Sequence, residues 1–252
     1  MKRLLPALLF IVSFLCLWQL VVIVFAVPQY LVPKPTEIVA RLGSQFTTLL
    51  PHLYITALES ALGFLLGSYA GIILAALFVR SKTIELSVYP YAIALNSVPI
   101  VAIAPLLVVW FGNGLLSKIL VAAIISFFPV VVNTTKGLRS IDAEAFDLFD
   151  SLAASRRQIF FKLQVPMCLP YLFVGLRVSS TLAVIGAIVG EFSGADKGLG
   201  FFILISSHRL ETIDMFVGIL LSSALGISFF YLITFLETLL IPWKIGKKSA
   251  LI

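Results

Sequence analysis

Apolar residues run along this chain in blocks of about twenty, separated by short polar breaks. The blocks fall at Leu4–Val27, Tyr54–Val79, Leu86–Trp110, Leu116–Asn133, Leu169–Gly190 and Ile213–Ile241. Soluble cores are built from shorter periodic pieces, whereas about 20 apolar residues is the length a helix needs to cross roughly 30 Å of hydrocarbon. The two-residue alternation of a membrane barrel is absent, and backbone groups in lipid must bond within their own segment. The pattern therefore predicts an all-α membrane protein with six transmembrane helices.

One polar island interrupts the pattern, running from Asp142 to Lys162 between the fourth and fifth blocks. Asp142, Glu144, Asp147 and Asp150 occupy its first half and Arg156, Arg157 and Lys162 its second. That order complements the positive N-terminal and negative C-terminal ends of a helix dipole, so a short amphipathic helix is expected here.

Composition agrees with the membrane reading. The 252 residues are 60% hydrophobic and only 12% charged, with a mean hydropathy of +1.10, outside the range of soluble domains. Lys2 and Arg3 ahead of the first block resemble a secretory signal, but the block is long and bulky and lacks a small-residue cleavage site, so an uncleaved first helix is expected. With the N-terminus inside, Lys2, Arg3, Arg80, Lys82, Lys136, Arg139, Arg156, Arg157, Lys162, Lys244, Lys247 and Lys248 all fall on the cytosolic side. Lys34, Arg41, Lys118, Lys197 and Arg209 fall outside, and the asymmetry predicts a multi-pass protein with both termini cytosolic. The net charge of +6 is accounted for by topology and anionic membrane lipid. No basic face interleaved with aromatics points to nucleic acid. Trp110 and Trp243 stand at span ends, as interfacial anchors do.

Candidate chemistry is sparse. Gly63, Gly67 and Gly71 recur every four residues in the second span, and Gly186, Gly190 and Gly194 do so at the end of the fifth, giving each helix a smooth face for close packing. Pro99, Pro105 and Pro129 inside spans remove backbone donors, which suits bent helices lining a pathway. Glu59, Arg177 and Glu191 are ionisable groups at membrane depth. Arg177 is placed to snorkel toward headgroups and Glu191 near the outer exit. Asn96, Ser97, Pro99 and Glu191 are the candidate translocation-pathway residues. Cys16 and Cys168, like His52 and His208, lack the spaced partners of a metal site, so neither a metal nor a cofactor is expected. His52 and His208 are expected at the surface or the interface. Gly194 to Gly200 is glycine-rich, but its order is not that of a phosphate-binding loop. No nucleophile has a base and an orienting acid, so the chain is not expected to be an enzyme and needs a partner to use nucleotide.

From about His52 to Lys244 the sequence resembles the permease subunits of importers of the ATP-binding-cassette type. The family's cytosolic motif is E-A-A, three residues, G, nine residues, I-x-L-P. It aligns with Asp147-Leu148-Phe149, Ala153 and Leu163-Gln164-Val165-Pro166. Asp stands for Glu, Leu-Phe for the two alanines, and Ala153 for the glycine. Ser97 to Leu106, Trp110-Phe111-Gly112 and Val189-Gly190-Glu191-Phe192 look like the nitrate, sulfonate and taurine branch. Leu182 to Glu191 and Ser206 to Thr212 are similar to permeases for thiamine-precursor pyrimidines. The resemblance implies a permease domain over 52–244, preceded by a helix and an outer connection over 1–51 and followed by a cytosolic tail over 245–252.

The resemblance also implies that Asp147, Leu152, Ala153, Ala154, Ser155, Arg156, Arg157 and Pro166 belong to a coupling loop docking on a separate cytosolic ATP-binding subunit, present in two copies. An extracytoplasmic solute-binding protein and a second permease copy, forming a homodimer, would complete the assembly. The implied cargo is a small polar or heterocyclic solute, such as a pyrimidine or a sulfonate-like anion. Two other readings stay open on the residues alone: an ion-coupled secondary transporter, and a membrane scaffold that transports nothing.

Overall fold

The computed structural model describes residues 5–243, all of whose regular elements are helical. Lys2, Arg3, Lys244, Lys247, Lys248 and the tail over 245–252 lie outside the described residues. Nine helices follow in order: α1 Leu5–Val24, α2 Pro35–Arg80, α3 Lys82–Ser97, α4 Ile100–Phe111, α5 Leu115–Arg139, α6 Ala143–Ser151, α7 Arg156–Phe192, α8 Leu199–His208 and α9 Thr212–Leu240. α2, α5, α7 and α9 are long and apolar enough to cross a membrane, and the bent pair α3–α4 makes a fifth span if counted as one. The six expected spans then turn on α1, whose apolar stretch Leu8–Val24 is shorter.

Three expected boundaries shift. α2 begins at Pro35 rather than Tyr54, so the outer connection and the second span are one helix of 46 residues. At 1.5 Å per residue it is about 70 Å long, more than twice the hydrocarbon thickness. Pro35 sits in the first turn, where its missing N–H is harmless, and the Glu37 carboxylate accepts the Lys34 N–H at 3.1 Å. The helix continues through Pro51 and through the expected division at residue 51.

The third block is not a straight span. α3 and α4 meet at 98° across Val98 and Pro99. Pro99 excludes the helical conformation at the residue before it, and Val98 is extended, with φ −75° and ψ 128°. α7 starts at Arg156 rather than Leu169 and carries one π turn over Phe160–Gln164. The wide turn comes just before Pro166, where the helix loses a backbone donor, and the Val165 N–H reaches back to Phe160 O.

α5 is the centre of the bundle. α2 packs on one side of it and α7 on the other, while α9 closes over α7, α8 and α2. Gly63 and Gly67 bring α2 so near that an added Cβ would overlap Ala122 Cβ and Ala123 O. A Cβ at Gly71 would meet Phe127 O at 3.0 Å. From the other side, Gly186 and Gly190 place a Cβ 2.7 Å from Ala122 Cα and 3.1 Å from Lys118 Cα. Gly194 is not a third rung of that ladder, because α7 ends at Phe192 and Gly194 has a φ of +152°. Arg41 clamps the N-terminal half of α2 to the start of α9 through a two-pronged ion pair with Asp214 at 2.6 and 2.8 Å.

Candidate coupling loop and buried polar site

The polar island forms two helices rather than one. α6 presents no buried residue and ends in a Schellman turn. The Ala153 N–H donates to Asp150 O at 2.9 Å and the Ala154 N–H to Phe149 O at 3.0 Å. That turn needs a left-handed residue, usually glycine. Here Ala153 takes it, with φ +51°, so the bend survives without glycine at a cost of about 1–2 kcal/mol. The next residues begin α7: Ser155 Oγ accepts the Gln158 N–H at 3.3 Å, and Gln158 Oε1 accepts the Ser155 N–H at 2.7 Å, a capping box.

This break reverses the expected dipole match. Arg156 and Arg157 lie in the first turn of a new helix, whose positive end they face, instead of in the last turn of the acidic one. Asp147 is exposed on α6, and Ala153 is exposed and Ala154 half-buried at the turn. Leu148 and Leu152, one turn apart, are 57% and 71% exposed and share one face. Leu148 entered the sequence reading only as a departure from the family motif; its i, i+4 relation to Leu152 was the available signal for an exposed pair.

The broken α3–α4 pair opens a cavity of about 230 Å³ against α2 and α5. Asn96 is its polar lining group, among apolar residues that include Leu66, Ile103, Leu120 and Phe128. Ser97 bonds back to Ile93 O at 3.0 Å, and Pro99 forms the hinge. Glu191 is not part of this cavity.

Glu191 ends α7 at the opposite end of the bundle from α6, fully buried. Its Oε1 accepts the Thr56 hydroxyl of α2 at 2.6 Å, and its Oε2 accepts the Gly200 N–H of α8. Thr56 Oγ1 in turn accepts the Leu199 N–H at 2.7 Å. Gly198, at φ +118°, and Gly200 lie so close that any Cβ there would run into the Glu191 carboxylate. The glycine-rich segment is therefore a cradle for this side chain. Glu59, one turn beyond Thr56, meets the same carboxylate, and its Oε2 is left without a hydrogen-bond partner.

Several placements differ from the sequence reading. Lys118, expected among the outer charges, is buried, attracts both carboxylates, and donates to Asn113 O at 2.7 Å and to Gly194 O. His52, expected at the surface or the interface, is half-buried, its Nδ1 accepting the Gly198 N–H at 3.1 Å. Arg177 does not snorkel free, since its Nη1 lies 3.6 Å from Glu237 Oε2 of α9. Glu237 and Asp214 are buried ionisable groups that sequence reasoning passed over.

Residues 63–242 match the family described as binding-protein-dependent transport system inner membrane component. The chain is 37% identical to the formylaminopyrimidine transport permease protein ThiX of Halalkalibacterium halodurans, covering 97% of this chain and 99% of that one. It is 34% identical to the riboflavin transport system permease protein RibX of Chloroflexus aurantiacus, over 91% and 87%. It is 33% identical to the putative aliphatic sulfonates transport permease protein SsuC of Bacillus subtilis, over 91% and 84%. Among solved structures, an inward-facing form of the MetNI methionine ABC transporter superposes with a TM-score of 0.59 at 20% identity, over 77% of this chain and 93% of that one, a likeness of fold.

Proposed function

The chain belongs to the family of binding-protein-dependent transport system inner membrane components, the permeases of ATP-binding-cassette importers, and from that premise we propose how it works. The turn from Asp147 to Arg157 is the contact with a separate ATP-binding subunit, and the α3–α4 hinge responds to the movement of that contact. The observation that carries the reading is the face of Leu148 and Leu152, exposed on a helix with no buried residue of its own. Such a pair is what a docking partner covers. The end bearing α6 is then cytosolic, and residues 32–50 and 192–211 meet an extracytoplasmic binding protein. Two copies of the permease work with two ATP-binding subunits, alternating between inward-open and outward-open states.

The cargo class follows from the cavity chemistry. Asn96 offers a hydrogen-bond donor and acceptor among apolar walls, and among the described residues no basic one lines the cavity. A small uncharged heterocycle fits that environment better than nitrate or a sulfonate, which would need a cation. The name of the 37% identical relative, a formylaminopyrimidine permease, agrees.

The test is reconstitution of the permease with its ATP-binding subunit and binding protein in vesicles. Uptake of a formylaminopyrimidine, coupled to stimulated ATP hydrolysis and absent for taurine, is the expected result. Ala153→Glu places bulk and charge at the exposed turn while keeping a Cβ there, so it should abolish coupling and leave the bundle folded. Unchanged coupling after that substitution removes the docking assignment, and uptake without any ATP-binding subunit removes the importer reading itself.

A further inference from the structure

Three ionisable side chains meet away from water at the end of the bundle opposite α6. Glu59 of α2 is 2% exposed, Lys118 of α5 is 1% exposed, and Glu191 of α7 is fully buried. Lys118 attracts both carboxylates, so ionisation of all three would leave one negative charge unmatched where water cannot screen it. The charged groups on the surrounding elements do not supply the difference. His52 of α2 accepts the Gly198 N–H at its Nδ1. Asp196, which also attracts Lys118, and Lys197 are exposed ahead of α8. His208 is exposed at the far end of α8, Asp214 of α9 is taken by Arg41, and α4 carries no ionisable residue.

Hydrogen bonding distinguishes the two carboxylates. Glu191 accepts from the Thr56 hydroxyl at 2.6 Å and from the Gly200 and Phe201 N–H groups. Among the described residues no donor reaches Glu59: it meets the Glu191 carboxylate, and its Oε2 is buried without a partner. Ionised carboxylates have only acceptor oxygens, so two of them in contact need a proton between them. The donors already on Glu191 make it the acceptor and leave Glu59 as the group that holds the proton. A hard metal cation takes about six oxygen ligands, whereas here one unpartnered oxygen lies within the field of the Lys118 ammonium.

We propose that Glu59 and Glu191 form a binding site for one proton, carried by Glu59 and shared with Glu191, whose occupancy holds residues 194–200 against the bundle. With the proton bound, Lys118 balances the one remaining negative charge while donating to Gly194 O, and Glu191 keeps the Gly200 N–H. Loss of the proton puts two like charges in contact. α2 and α7 cannot spread to relieve them, because Gly63 and Gly186 hold both helices against Ala122 of α5. Relief comes at the segment instead: Lys118 turns to the second carboxylate and releases Gly194 O, and Glu191 withdraws from the cradle of Gly198 and Gly200.

The test is hydrogen exchange of the full chain in detergent across a range of pH, read as protection of the Gly200 amide relative to an unstructured peptide at each pH. Wild-type protection should fall on the alkaline side by about tenfold per pH unit, the slope for release of one proton. Glu59→Gln keeps the shape and a donor but has no proton to release, so its protection should stay level over the same range. At neutral pH its thermal midpoint should equal that of wild type, whereas Glu191→Gln, which removes the charge facing Lys118, should lower it. Wild-type protection that ignores pH overturns the site, as does a pH dependence that survives in Glu59→Gln. A Glu59→Gln midpoint well below wild type would mean that Glu59 is held as a carboxylate and would also overturn it. Added sodium or magnesium that raises wild-type protection at fixed pH assigns the site to a metal ion, against the proposal. Neither readout requires transport, so failure here is distinct from failure of the importer reading.

Discussion

The hydroxyl of Thr56 donates to Oε1 of Glu191 at 2.6 Å, joining α2 to the last turn of α7. The same oxygen of Thr56 accepts the Leu199 N–H, so one side chain satisfies a buried carboxylate and the first turn of α8. Thr56→Val keeps the shape and orphans both groups. Leaving buried polar groups unpaired costs roughly 1–3 kcal/mol, so the thermal midpoint in detergent should fall by several degrees, with Thr56→Ser restoring it. A Thr56→Val midpoint equal to wild type would mean that the network does not hold this end of the bundle.

Gly63 and Gly186 close on opposite sides of Ala122, which makes α5 a spacer gripped by two smooth helices. Gly186→Val would drive its side chain into Ala122 Cα, a backbone atom that moves only if the helices separate. Overpacking of this kind costs about 1–3 kcal/mol or more. Gly226 is the comparison, because a Cβ there meets nothing within 4 Å. Gly226→Ala in mid-helix should stabilise by about 0.5–1 kcal/mol. Parallel unfolding of the two variants checks the contrast, and a similar loss in both would deny any special role to the α5 contact.

The spans were legible because lipid demands long apolar runs, and Pro99 was legible as an interruption. What composition could not supply was where a helix continues through polar residues. Residues 35–51 read as a connection, yet they extend α2, held by the Arg41–Asp214 clamp that pairs positions distant in sequence. Lys118 looked like one more outer lysine because its partners lie on other helices: the carboxylates of Glu59 and Glu191, and Gly194 O. The polar island was legible as helical from its charge pattern. The family resemblance implies a turn between two short helices, and the residues alone gave no sign of it because Ala153 adopts a glycine's conformation without a glycine's signature.

Glu85 ties the start of α3 to the end of α5. Its carboxylate accepts Arg139 at 2.5 Å and Lys82 at 2.9 Å, and Arg139 lies just ahead of α6. If that turn is the coupling contact proposed above, its movement has a polar route to the helix that bears Asn96. Glu85→Gln should lower solute taken up per ATP hydrolysed while the bundle stays folded, and the charge exchange Glu85→Arg with Arg139→Glu should recover part of it. A transport ratio identical to wild type would remove this pair from the coupling route.

Ala153 stores a small strain at the turn between α6 and α7, and that strain can be measured. An L-residue in the left-handed region is disfavoured by about 1–2 kcal/mol, and glycine is free of that penalty but gains entropy in the unfolded chain. The net gain for Ala153→Gly is about 1 kcal/mol. Opening of the turn exposes the Ala154 N–H that donates to Phe149 O, so hydrogen exchange of that amide should slow about fivefold in the variant. Global unfolding should barely change, because α6 buries nothing. Ala153→Pro supplies the opposite case: it removes the N–H that donates to Asp150 O and forces φ to about −65°, which the turn cannot accept. Exchange near Ala154 should then rise toward the unprotected rate. If Ala153→Gly leaves that amide unchanged or exchanging faster, the left-handed turn at this position is wrong.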